Sequence, residues 1–199
     1  MSSDRDNHRS RLLQAAHRLL REREYANITA RDLVAASDTN LGSIGYHFGS
    51  KEALLNEAIG LALEEWTDAI GATIEGYSGD GVMALMTGSL GMVLDRFDSI
   101  RPYYQAFLEA LARSARSPEL RAQLAAHYNR QRERIAAWIL AALGEQLAVA
   151  EARHIASLML ATADGMLIQD FIDSSEVPSR KELASSMGKA LAGAGGGLA

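Results

Sequence analysis

Apolar residues recur along the chain with helical spacing, and no run of alternating apolar and polar residues reads as a strand. Over 7–24, Leu12, Ala16, Leu19 and Leu20 share one face with Arg and Glu opposite, which predicts an amphipathic helix. The pattern breaks at Tyr25-Ala26-Asn27. Thr29 then stands three residues before Asp32, the spacing of a capping box with Asp as the acid, and predicts a short helix over 30–36. That helix is expected to bury Leu33, Val34 and Ala36. Ser37-Asp38-Thr39-Asn40 reads as a turn, in which Asp38 can take a left-handed backbone at low cost. A second short helix, about 41–47, turns Ile44 inward. Phe48-Gly49 ends it, and Ser50 caps a long helix that starts Lys51-Glu52-Ala53-Leu54-Leu55.

The remainder predicts longer amphipathic helices over 51–76, 80–98, 101–114, 118–143, 148–173 and 179–193, about nine helices in all. Pro102 and Pro118 fall at expected first-turn positions, Gly144 follows a helix end, and Ser179 and Glu182 make a capping box. The glycine-rich tail after 193 is expected to hold no structure. The fold class is all-α, with no internal repeat.

Two short helices joined by a four-residue turn, after a bracing first helix, make a helix-turn-helix, whose second helix can enter the major groove. The residues expected to face outward from it are Thr39, Asn40, Ser43, Tyr46 and His47, short or planar hydrogen-bonding groups suited to base edges and phosphates. Gly42 and Gly45 keep the helix thin. Lys51, with Ser50 at a helix start, is a candidate phosphate contact. Thr29 and Arg31, at the start of the first short helix, complete the candidate DNA-binding set. Net charge is −5, but residues 1–51 carry eight bases and six acids, whereas the rest carries twelve bases and nineteen acids. The positive charge therefore sits at the end that bears the motif.

The stretches Ile28-Thr29-Ala30-Arg31-Asp32-Leu33-Val34-Ala35-Ala36 and Ser43-Ile44-Gly45-Tyr46-His47-Phe48-Gly49-Ser50-Lys51-Glu52-Ala53-Leu54-Leu55 resemble the tetracycline-repressor (TetR) family of bacterial regulators. The resemblance implies three DNA-binding helices, a connecting fourth, and a divergent C-terminal domain that binds a small molecule and dimerises through its last two helices. It divides the chain into a helix-turn-helix domain, 1–50, and a ligand-binding and dimerisation domain, 51–199. Asp38 replaces the family's usual turn glycine. Gly45 stands where the family commonly has Tyr, so Tyr46 becomes the candidate for that aromatic contact to the DNA backbone.

Among the middle helices the resemblance places an effector pocket, and Met83, Met86, Tyr103, Tyr104, Phe107, His127 and Trp138 are the candidate lining; Met fills irregular spaces adaptably. Single residues of these types are also ordinary core. Because few acids there stand where they would face inward, with Asp95, Asp98 and Glu109 near helix ends or among polar neighbours, the expected effector is largely apolar, with one or two hydrogen-bonding groups. In 148–173 the small residues Ala152, Ala156, Ala163 and Gly165 lie beside Ile155, Leu158, Met159, Thr162 and Met166; with Leu183 and Met187 they are the expected dimer interface.

Glu151 and His154 have the Glu-x-x-His spacing of di-iron bundles, but no second such motif occurs, so neither a metal nor another cofactor is expected. Cys is 0, which excludes disulfides and thiolate metal sites. The N-terminus lacks the apolar core of a signal peptide, and stretches such as 135–143 fall short of the ~20 residues that span a bilayer. The expectation is a cytoplasmic, non-enzymatic repressor. Its partners would be double-stranded palindromic operator DNA, a second copy of itself and a small effector, with no membrane. A constitutive DNA-binding protein and a helical enzyme with an added helix-turn-helix remain the alternatives.

Overall fold

The computed structural model describes residues 2–74, 81–144, 147–179, 181–183, 185–186 and 189, excepting the side chains of 2–6, 70, 72–74 and 83. Among them lie eight α-helices and no strand: α1 Ser2–Glu22, α2 Ala30–Ser37, α3 Leu41–Phe48, α4 Lys51–Ile74, α5 Gly81–Asp95, α6 Phe97–Ser114, α7 Pro118–Leu143 and α8 Val149–Ile172, with a 3-10 turn at Tyr25–Asn27. Further helical residues follow the capping box in which Ser179 donates its N–H and hydroxyl to Glu182.

Packing divides the chain into two compact units, one of Met1–Trp66 with Ser99–Tyr128 and the other of Thr67–Asp98 with Asn129–Ala199. This division by packing falls within α4, between Trp66 and Thr67, whereas the division expected from the motif falls at residue 50, just ahead of the first residue of α4. In the first unit, Leu12, Ala16, Leu19 and Leu20 of α1 close on Leu33 of α2, Ile44 of α3 and Leu54 and Leu55 of α4, all buried. Val34 and Ala36, expected in this core, are half-buried, and Ser37 is buried beside them. In the second unit α5 packs on α8, and Leu85, Leu90, Ile139, Ala152, Ala156 and Leu167 are buried.

Helix α6 starts at Phe97, ahead of the expected residue 101. Phe97 and Ile100 are buried at 2% and 3% exposure, and that apolar burial outweighs the preference of Pro102 for a first turn, leaving the proline inside the helix. Pro118 does occupy the first position of its helix.

The capping box of α2 is complete: Asp32 N–H donates to Thr29 Oγ1 at 3.2 Å, and Thr29 N–H donates to Asp32 Oδ2 at 2.9 Å. Hydrogen bonds from the Thr29 hydroxyl and N–H, and from Arg23, hold the Asp32 carboxyl down at about 2, from 3.8. A folded-state pKa below the unfolded one means that ionised Asp32 stabilises α2 above pH 3.8, and that this is lost as pH falls toward 2. Melting curves stepped through that window should fall less steeply with pH for Asp32→Asn than for the unaltered protein. Equal pH dependence would remove Asp32 from the account.

Candidate nucleic-acid interface

The turn between α2 and α3 has the geometry its sequence predicts. Asp38 adopts φ 49°, ψ 52°, and Arg11 of α1 donates to both its carboxylate and its carbonyl oxygen at 2.7 Å. An Asp thus serves where glycine has the easier backbone, because its carbonyl and its side chain together anchor α1. Asn40 caps α3, its Oδ1 accepting from Ser43 N–H at 3.1 Å.

The outward sector of α3 holds Leu41, Gly42, Gly45 and Tyr46, all exposed, with Leu41 54% and Tyr46 70% exposed. Ser43 corrects the sequence reading. It is 8% exposed, its hydroxyl set against Asn40 Oδ1 and His8 Nδ1 at 3.3 and 3.4 Å, so it braces α3 from within. It lies about 100° from Ile44 around the helix, on the side that α1 covers. His47 is half-buried, its ring edge-on to Tyr46 at 4.9 Å and 6.2 Å from Phe48. Thr39 is half-buried, its hydroxyl 2.8 Å from that of Ser37. Thr29 is exposed but engaged in the cap.

The cations are mostly tethered. Arg9 pairs with Glu57, Arg23 with Asp32 at 3.0 Å, and Arg18 donates to the Ala36 carbonyl at 2.7 Å. Lys51, expected to reach a phosphate, donates to the Ile28 carbonyl at 2.9 Å and lies 3.4 Å from Glu52. Its ammonium ties the start of α4 to the approach to α2, a structural role the spacing alone could not show. Arg31, in contrast, is exposed on α2 and meets no acid, carbonyl or ring among the described residues.

The expected pocket residues fall in both units. Within the first, Tyr104, Phe107, His127 and Tyr128 form a chain of ring contacts 5.7 to 6.3 Å apart. Tyr103 is buried, and its hydroxyl, kept protonated by burial that pushes its pKa up to about 12, meets the His17 ring at 2.9 Å and the His17 carbonyl at 3.2 Å. It therefore joins α6 to α1, which corrects its reading as a ligand-facing hydroxyl. An acid that the sequence reading did not place inward stands here too: Glu64, 15% exposed, 3.3 Å from His127 Nδ1. The imidazole also lies against Gly60, one turn before Glu64 on α4, where a Cβ would stand at ordinary contact, 3.4 Å from Nδ1. A cleft of about 630 Å³ also opens in the first unit, with Tyr25, Phe48, Asn56, Arg113 and Gln123 in its walls. Arg113 lies 5.1 Å from the Tyr25 ring centre, and burial drives the phenol up to about 12 against the pull of that guanidinium.

In the second unit Met86 is buried at 8%, Met83 lies on α5 with its side chain outside the described residues, and half-buried Trp138 is packed on the backbone of Gly71. On α8, Leu158 is exposed and Ile155, Met159, Thr162 and Met166 are half-buried; Leu183 is also half-buried, and Met187 lies outside the described residues. Ala152 and Ala156 are corrected: both are fully buried in their own protomer, on the side of α8 away from Leu158. Glu151 uses its carboxylate to accept the Ala148 N–H at 2.8 Å, and His154 is exposed.

Residues 12–58 match the family model of bacterial regulatory proteins of the tetR family, and residues 78–193 match that of the tetracyclin repressor-like C-terminal domain. The chain belongs to the TetR family. Members of this family are DNA-binding transcription regulators, and so is this one. Solved structures agree with the TetR-family fold. A transcriptional regulator from Rhodococcus sp. Rha1 is 20% identical, with 93% of this chain and 96% of that one covered and a TM-score of 0.61. The multidrug binding protein EbrR, complexed with imidazole, is 21% identical over 92% of this chain and 91% of its own, with a TM-score of 0.65; a second EbrR structure holds proflavin. A Saccharomonospora viridis protein in complex with choline is 22% identical over 91% and 93%, with a TM-score of 0.58. No curated protein matches the sequence.

Proposed function

We propose that this TetR-family regulator is a cytoplasmic repressor that binds a palindromic operator as a homodimer and releases it when a small effector occupies the C-terminal domain. The observation that carries the DNA half is the exposed face of α3, held from behind by α1 and α2, with untethered Arg31 on the neighbouring helix. The dimer half rests on α8. It is long and apolar enough to cross a membrane by length and composition, yet only 17% of its most apolar window is buried within the chain. Its exposed apolar residues Leu158, Ile168, Phe171 and Ile172 need cover, and the second copy supplies it in this reading.

The effector remains apolar in body, facing the rings of Tyr104 and Phe107, but inward Glu64 adds a partner for a hydrogen-bond donor or a positive group. Imidazole, proflavin and choline, bound by solved relatives, each carry or can take a positive charge. Release follows if the effector prefers a conformation whose two recognition helices are wrongly spaced for the operator. This reading assigns regulation, not catalysis, to the C-terminal domain.

Selection of bound duplexes from a random library, followed by binding titrations, tests the proposal. A palindromic consensus is expected. Arg31→Ala should lower affinity and flatten the salt dependence by roughly 0.9 per lost phosphate contact, about twice that for a dimer. Lys51→Ala should mainly lower the melting temperature. The reverse pattern would restore Lys51 as the phosphate contact. A panel of apolar amines and neutral analogues should then contain compounds that both raise the melting point and release the operator. Absence of any such compound would favour the constitutive reading.

A further inference from the structure

The outward sector of α3 is poor in groups that can read a base by hydrogen bonding. Ser43 is turned inward, the Thr39 hydroxyl is paired with Ser37, and the Asn40 carbonyl oxygen caps the helix. What projects from the first turn is Leu41, an aliphatic side chain 54% exposed. Its flank is bare: a Cβ built on Gly45, one turn along the same face, would find nothing within 4 Å. Isolated exposed leucines are common on protein surfaces and by themselves mean little. This one stands on the helix that a helix-turn-helix presents to the major groove, on a face lined by two glycines that let the backbone come close.

The major groove displays one apolar feature, the 5-methyl group of thymine, and that group distinguishes A·T from the other pairs there. We propose that Leu41 is a specificity-determining residue that reads a thymine methyl in each operator half-site by apolar contact. The inference rests on the operator-binding reading above. In it, Gly42 and Gly45 set the depth at which α3 sits, Leu41 covers the methyl, and Tyr46, at the other edge of the same face, meets the DNA backbone.

The test replaces thymidine by deoxyuridine, one position at a time, in the duplex selected from the random library. This removes the methyl and leaves base pairing intact. For the unaltered protein, one thymine position per half-site should show about fourfold weaker binding when substituted, and more than tenfold when both half-sites are substituted, the worth of one buried carbon group at each. Leu41→Ala should bind the thymidine operator with the weakened affinity and be insensitive to deoxyuridine at that position. Its melting temperature should match that of the unaltered protein, since an exposed side chain is removed. If Leu41→Ala keeps the full deoxyuridine sensitivity, or if no position is sensitive in the unaltered protein, the proposal is overturned while operator binding stands. Failure of the library to yield any enriched sequence would instead overturn the operator reading itself.

Discussion

Leu158→Arg is expected to give a folded monomer that has lost its operator. In the single chain Leu158 is 56% exposed, and Ile168, Phe171 and Ile172 of the same helix are 40%, 40% and 77% exposed, so an arginine at 158 has open solvent around it before association. The buried side of α8, with Ala152, Ala156 and Leu167, is untouched, and the protomer should keep its helicity and its melting transition. In a two-fold assembly the arginine enters the interface twice. An uncompensated buried charge costs roughly 3–5 kcal/mol, which at tenfold per 1.4 kcal/mol weakens the dimer at least a hundredfold. Each protomer then holds a single half-site, and operator affinity should fall by at least two orders of magnitude. Sedimentation at micromolar concentration reads the assembly directly. A monomeric unaltered protein would refute the dimer proposal. A variant that stays dimeric would move the interface away from Leu158.

The second large effect is expected from the smallest side-chain change, Gly71→Ala. A Cβ at this position would stand 2.2 Å from Trp138 Cζ2 and 2.4 Å from Cε2 and Cη2, well inside any tolerated contact. The obstacle is a rigid indole on α7, next to buried Ile139 and one turn from buried Ile135, so the ring cannot swing aside without disturbing α7. Overpacking of this kind costs roughly 1–3 kcal/mol, and a chain of this length should lose roughly 2–12 °C of melting temperature. Trp138→Leu in the same chain should return much of that loss, because the methyl then fills space the indole has left. A Gly71→Ala protein that melts like the unaltered one would show that α4 and α7 are further apart here. The contact also bears on Trp138 as an effector residue: its edge against Gly71 fixes one helix on another, whatever its other face meets.

The features legible in the sequence are those whose physics is local. Thr29 and Asp32 are three residues apart, Asp38 takes its left-handed backbone within its own turn, and the inward stripe of α1 repeats every three or four residues. Their partners lie within reach of the pattern itself. The partners of Lys51 and Tyr103 are not local: one donates to a carbonyl 23 residues away, the other to a histidine carbonyl 86 residues away, and neither distance leaves a trace in spacing. Composition alone does not place Ser43. A small hydroxyl on a recognition helix suits a base edge and a packed interior equally, and only the azimuth set by α1 decides between them. Nothing in the spacing along α4 marks Glu64 as inward, because the histidine that it meets belongs to α7. On α8 the small-residue spacing does not tell which side faces inward: Ala152 and Ala156 are buried within the chain, whereas Leu158 remains outside.

The internal tethering of Arg9, Arg11, Arg18, Arg23 and Lys51 has a kinetic consequence. A protein that slides along DNA is held by loose cations that exchange one phosphate for the next, and here most of those cations are fastened to carboxylates and carbonyls of the same chain. Random DNA is therefore expected to retain this regulator only briefly, with its search made of many short encounters rather than long one-dimensional excursions, which single-molecule tracking on non-operator DNA would check. Its occupancy of the operator should also vary little when the cell's internal ionic strength rises, because few counterions are released on binding. On this expectation, the arginines that brace the helix-turn-helix would also set the pace at which the regulator finds, and leaves, its sites.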